Sequence, residues 1–123
     1  MISGAVNADI DAIVRLRVIG PRGDAILVDF VLDTEFSGAL SLPSKYIRQL
    51  KLEWYHETAA ILADGSTVAF DVFDGAVEWH GTIVAVKIDA AEGDPMIGME
   101  LMQGHRVTLD IIAGGRVTIA PLP

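Results

Sequence analysis

The sequence contains no cysteine. That excludes disulfide staples, thiolate nucleophiles and cysteine-based metal sites, so side-chain packing alone must hold the fold. The absence also fits a reducing compartment, and a cytoplasmic location is the expectation. No apolar run approaches the roughly 20 residues that a membrane-spanning helix needs, so no membrane partner is expected. Residues Met1 to Asp11 lack a basic stretch followed by an apolar one, and no signal peptide is read there. Positive charge is scarce: 9 Lys and Arg stand against 17 Asp and Glu, for a net charge of -8. A surface of that sign repels phosphate backbones, which argues against nucleic acid as a partner. The longest basic cluster, Lys45, Arg48 and Lys51, has helical spacing and reads as a solvated helix face. A glycine-rich phosphate loop is missing, since Gly114-Gly115 reads as a hairpin turn with no helix after it. A nucleophile elbow is missing too. His56, His80 and His105 lie in separate segments, without the close pair a zinc-binding helix carries, and read as surface or internally satisfied histidines. No metal ion and no cofactor are expected.

What is present is material for a core. Hydrophobic residues make up 51 % of the 123 positions, a globular composition of one-domain length, so residues 1–123 are read as a single domain. Strand signals dominate. Ala12 to Ile19 (AIVRLRVI) alternates Val14, Leu16 and Val18 on one face with Arg15 and Arg17 on the other. Gly20-Pro21-Arg22-Gly23-Asp24 is a turn cluster, and Ala25 to Leu32 (AILVDFVL) is a nearly continuous apolar strand, expected to be buried on both faces and to pair with the first as a hairpin. Leu40, Leu42 and Pro43 close the next extended piece. Ser44 reads as the N-cap of a short helix over Lys45 to Leu50. Trp54 to Leu62 and Ser66 to Phe73 flank Ala63-Asp64-Gly65, a strong hairpin signal, and Asp74-Gly75 reads as a second turn of the same kind. Ala76 to Trp79 and Thr82 to Ile88 follow, with Gly81 as a bend or bulge. Met96 to Met102 holds a helical turn, and Arg106 to Ile112 and Arg116 to Ile119 form a last hairpin. Short strands at regular spacing, with one or two short helices, point to an all-β sandwich or small barrel.

The segment with most chemical content is Phe30-Val31-Leu32-Asp33-Thr34-Glu35-Phe36-Ser37-Gly38. A carboxylate directly after a buried apolar strand needs desolvation, pairing or protonation to be accounted for. Two readings stand side by side. In one, Asp33 opens a turn and its side chain caps nearby backbone N–H groups. In the other, it is a catalytic group. Trp54 and Trp79 read as core or interface residues. Asp9, Asp11 and Asp29 read as turn or strand-edge residues, and Asp71 and Asp74 as solvated.

Three segments in order resemble the retropepsin-like aspartic proteases, in particular small single-domain prokaryotic members. Val28 to Gly38 (VDFVLDTEFSG) matches their apolar strand and Asp-Thr, with Phe36, Gly38, Leu40 and Pro43 following as in that group. Pro95 to Met102 (PMIGMELM) is similar to their apolar-Ile-Gly segment and helix near the C-terminus. Ala63-Asp64-Gly65-Ser66 lies where their flap hairpin does. The resemblance covers roughly residues 12 to 120. It implies a small closed barrel of the acid-protease type and a homodimer, because one chain carries a single Asp-Thr and symmetry must supply the second. Asp33 from each subunit would form a catalytic dyad acting on a peptide or protein substrate, and Thr34 would brace it across the two-fold axis. Glu35, Phe36, Asp64, Gly65 and Ser66 would line the substrate under the flap.

The departure from that pattern is Glu35, where the family has glycine. Three consequences are open. Glu35 points away and leaves activity intact, or it raises the dyad's pKa values by like-charge repulsion, or four carboxylates at the axis hold a hard cation such as calcium or magnesium. The alternative to a peptidase is a catalytically silent dimerisation or peptide-binding module on the same fold.

Overall fold

The computed structural model describes residues 1–123. The chain is mostly β, with 55 % of residues in strands and 9 % in two short helices. In chain order the elements are β1 (Ile2–Val6), β2 (Ala12–Ile19), β3 (Ala25–Leu32), β4 (Leu40–Leu42), α1 (Ser44–Leu50), β5 (Glu53–Ile61), β6 (Thr67–Trp79), β7 (Thr82–Ala90), β8 (Met96–Ile97), α2 (Met99–Met102), β9 (His105–Leu109) and β10 (Arg116–Pro121). All ten strands join one sheet in the order β5-β6-β7-β4-β8-β3-β2-β1-β10-β9. A further antiparallel pairing, Val18 with Val77 and Ile19 with Ala76, brings β2 back onto β6 and turns the sheet into a partial ring.

The ring exists because alternating strands have an apolar side to hide. Val14, Leu16 and Val18 of β2 and Val28 and Phe30 of β3 are buried against Leu40, Leu42, Val77, Ile88, Ile97, Val117 and Ile119. The β2–β3 hairpin forms as expected, with Arg15 opposite Asp29 and their side chains paired on the outside at 2.8 Å. Helix α1 closes part of the core with Ile47 and Leu50.

Several local expectations are corrected. β3 is not buried on both faces: Leu27 is 65 % exposed, because the outer side of this hairpin has no covering layer. A strand at Ile2–Val6 precedes those read from the sequence, pairing with both β10 and β2. Asp74-Gly75 is no turn. β6 runs straight through it, since Asp74 pairs with Lys87, both in register and by side chain, and Gly75 supplies the gap in which the Ile88 side chain lies. Nor is Ser44 the helix cap, which is Pro43, with no side-chain hydrogen bond. The tight turn in this region is instead His80-Gly81, both at positive φ (52° and 76°), the two-residue link that right-twisted strands favour.

Candidate functional site

Asp33 stands where β3 ends beside β8. The two strands run parallel, Val31 against Met96 and Leu32 against Ile97, and β4 adds antiparallel to the other side of β8. The chain therefore passes from β3 around the Asp33–Gly38 loop and back as β4, with β8 threaded between. Backbone bonds fasten this crossing throughout. The N–H of Val31 donates to the Pro95 carbonyl (2.9 Å) and that of Asp33 to the Ile97 carbonyl (3.0 Å). In return Gly98, Met99 and Glu100 donate to the carbonyls of Ala39 (2.9 Å), Phe36 (2.8 Å) and Gly38 (3.2 Å). Thus the Asp33 segment and the Pro95–Met102 segment, both singled out in the sequence, form one interlocked unit.

Glycine makes that contact possible. A Cβ on Gly98 would overlap the Gly38 carbonyl oxygen and come within 2.7 Å of the Phe36 ring and carbonyl oxygen. One on Gly38 would come within 2.7 Å of the Phe36 ring tip. Phe36 is accordingly a wedge between two glycines, a packing role in the single chain.

Within the loop, one carboxylate oxygen of Asp33 accepts the N–H of Glu35 at 2.9 Å. This is the Asx turn of the capping reading, and it also orients the carboxylate. The second oxygen has no hydrogen-bonding partner in the chain, and the side chain is only half-buried. Thr34 and Glu35 are exposed, and neither side chain makes a hydrogen bond or ion pair. Glu35 does not occupy the left-handed region, so a side chain there strains no backbone.

The other predicted residues lie elsewhere on the chain. Asp64, Gly65 and Ser66 form the exposed tip of the β5–β6 hairpin. Asp64 accepts both the N–H (2.9 Å) and the hydroxyl (2.5 Å) of Ser66, which holds its carboxyl below the usual range. No hydrogen bond joins this tip to the Asp33 loop. β5 pairs with β6 alone, and its side chains face solvent almost throughout.

Two features escape sequence reasoning. Asp89 on β7 is opposite Ser41 of β4, and a Cβ on Gly38 would come within 3.3 Å of its Oδ2. A second carboxylate therefore lies against the Asp33 loop in the same chain. Burial lifts its pKa above the ordinary value and Glu100 pushes the same way, while His56 opposes both. Only the parallel β4–β7 pairing creates this neighbour, and no local pattern announces it. The second feature is that His80 and His105, far apart in sequence, meet with their Nε2 atoms 2.9 Å apart. No group of three or more His, Asp or Glu side chains converges as metal ligands would.

Comparison of the chain with protein-family models, with curated proteins and with solved structures finds no match.

Proposed function

We propose that the chain is one half of a homodimeric aspartic peptidase, a retropepsin-like barrel closed around a dyad of two Asp33 carboxylates. The observation that carries this reading is the interlocked crossing of the Asp33–Gly38 loop with β8 and α2. It presents a carboxylate fixed through one oxygen, with its other oxygen unbonded, on a rigid base. Fixed carboxylates are what general acid–base chemistry requires.

In the dimer two such groups close together cannot both ionise at ordinary pH, so they share a proton and titrate as a pair. The ionised partner takes a proton from a water held between them, and that water attacks the scissile carbonyl. The protonated partner donates to the carbonyl oxygen as negative charge grows on it. Thr34, exposed beside Asp33, is available to bond across the axis. The β5–β6 hairpin serves as the flap, with Asp64, Gly65 and Ser66 at its tip and Glu35 and Phe36 on the loop side. Glu35, turned to solvent, is compatible with this chemistry.

A specific observation favours a second reading. Asp33 is already satisfied as a turn former by the Glu35 N–H, and the residue after Thr34 is not glycine. On that basis the fold would be a peptide-binding or dimerisation module without catalysis, since function resides in the site and not in the fold.

The discriminating experiment is cleavage of a diverse peptide mixture followed by mass spectrometry from pH 3 to pH 7.5. The peptidase reading expects cuts by the wild type that disappear in Asp33→Asn. No cuts from either protein, with a stable dimer by light scattering, supports the silent module. Cleavage that begins only in Glu35→Gly identifies Glu35 as the group that holds the site off.

A further inference from the structure

The His80–His105 pair takes no part in the Asp33 site. His80 is the first residue of the β6–β7 turn, and His105 is the first residue of β9. The ring planes lie within 11° of each other with centroids 4.9 Å apart. Because the facing nitrogens are 2.9 Å apart, much closer than the centres, the rings meet nearly in line, edge to edge. Such geometry suits an N–H···N hydrogen bond. Two lone pairs aimed at a shared tetrahedral metal would converge at an angle instead.

The proton positions follow from the partners. The His105 Nδ1 faces the Gln103 carbonyl at 2.9 Å, and a carbonyl only accepts, so Nδ1 carries the proton. Neutral His105 therefore accepts at Nε2, and His80 donates from its own Nε2. That leaves the His80 Nδ1 as a bare acceptor, shielded from solvent and without a partner. Trp79, itself buried, meets both rings edge-on at 5.2 and 5.4 Å.

This arrangement tolerates protons badly. A first proton on either ring, with the bond kept, puts an N–H on His80 Nδ1, where no acceptor waits. A second proton sets two N–H groups against each other and the bond is lost. That bond is the one side-chain hydrogen bond from β9 to the β6–β7 turn. β9 is the end strand of the sheet, β10 is its only strand partner, and no other side-chain hydrogen bond ties the β9–β10 hairpin to the other strands.

We propose that His80 and His105 form an acid-sensitive clasp that fastens the edge strand β9 to the β6–β7 turn, and that protonation of both rings releases this edge. The charged groups around the clasp act in the same direction, with one exception. The amino group of Met1, on the β1 side, adds positive charge, and Arg15 and Arg17 of β2 share a surface hollow with His80, as does Glu78 of β6, the one opposing charge. β10 faces His105 with Pro121, which cannot titrate. Desolvation first, then the amino terminus and His105, hold the His80 pKa below its ordinary value. The folded state therefore resists protonation. The clasp's stabilisation is complete above the ordinary histidine range and is lost as pH falls through the depressed value.

Hydrogen exchange followed by NMR tests this, with protection factors referenced to intrinsic rates at each pH. Between pH 7.5 and pH 5, the amides that bond β9 to β10 are expected to lose about tenfold in protection relative to those of β2 and β3. In His105→Phe, which keeps a ring against Trp79, and in His80→Gln, that pH-dependent loss disappears. A uniform decline over all strands, or an unchanged pH dependence in both variants, overturns the clasp. So does a stoichiometric shift of both imidazole signals when zinc is added to metal-free protein at pH 7.5, which would make the pair a metal site.

Discussion

Asp33 and Asp64 are held in turns of the same local design. Each follows an apolar stretch, and each accepts the backbone N–H two residues on, at 2.9 Å in both cases. Their surroundings differ completely. Around Asp33 five backbone bonds lock the loop and the residues flanking it to the Pro95–Glu100 segment, and two glycines let the strands approach. Around Asp64 there is only its own hairpin, with solvent on both faces of β5 and nothing within 4 Å of a Cβ placed on Gly65. The same turn chemistry thus yields a rigid platform in one place and a free tip in the other. Local sequence sets the turn, while packing density sets its stiffness.

The largest expected effect breaks the platform. Gly98→Ala forces a Cβ into the Gly38 carbonyl and should destabilise by roughly 3 kcal/mol or more in urea unfolding, because backbone on both sides cannot yield. Gly65→Ala meets no atoms and has only its φ of +85° against it, so about 1 kcal/mol is expected. Near-equal costs would erase the contrast. Next, the outer β5–β6 hairpin should exchange its amides at least about tenfold faster than β2–β3, measured in one experiment at neutral pH. Asp89→Asn removes a carboxyl that burial and Glu100 keep above its ordinary pKa. Such a group favours folding when protonated, and its contribution is lost as pH rises through the folded pKa. The variant should therefore raise Tm by roughly 2 °C at pH 7 and by nothing near pH 4. Smallest of all is Ser66→Ala at the tip, which should leave Tm unchanged, since the one bond it removes, from the hydroxyl to Asp64, is exposed and the backbone N–H bond remains.

Much of the fold is legible in the sequence. β2 and β3 fall at the residues their alternation and turn cluster predict, and the short helices fall on the segments that read as helical, Lys45 to Leu50 and Met96 to Met102. Errors cluster where a residue's ordinary meaning is overridden by neighbours. Gly75 reads as a turn and serves as a gap for Ile88. Gly81 reads as a bend or bulge, and of the two it is the bend, half of a two-residue turn with His80. Leu27 reads as core and is solvent-facing. The candidate site was legible in part. Asp33 and the Pro95–Met102 segment could be named, but their interlocking could not, because parallel pairing joins segments some sixty residues apart and no local pattern says which strands will meet.

The sequence by itself determined the β character, the lack of covalent cross-links, the acidic surface and the two Asx turns, since these depend on composition or on residues within a few positions of one another. Tertiary structure alone decided which of those turns is braced, that Asp89 lies against the Asp33 loop, and that His80 and His105 share a hydrogen bond across 25 positions. Those outcomes rest on long-range register, which is fixed by how the whole sheet buries its apolar face and not by any local signal.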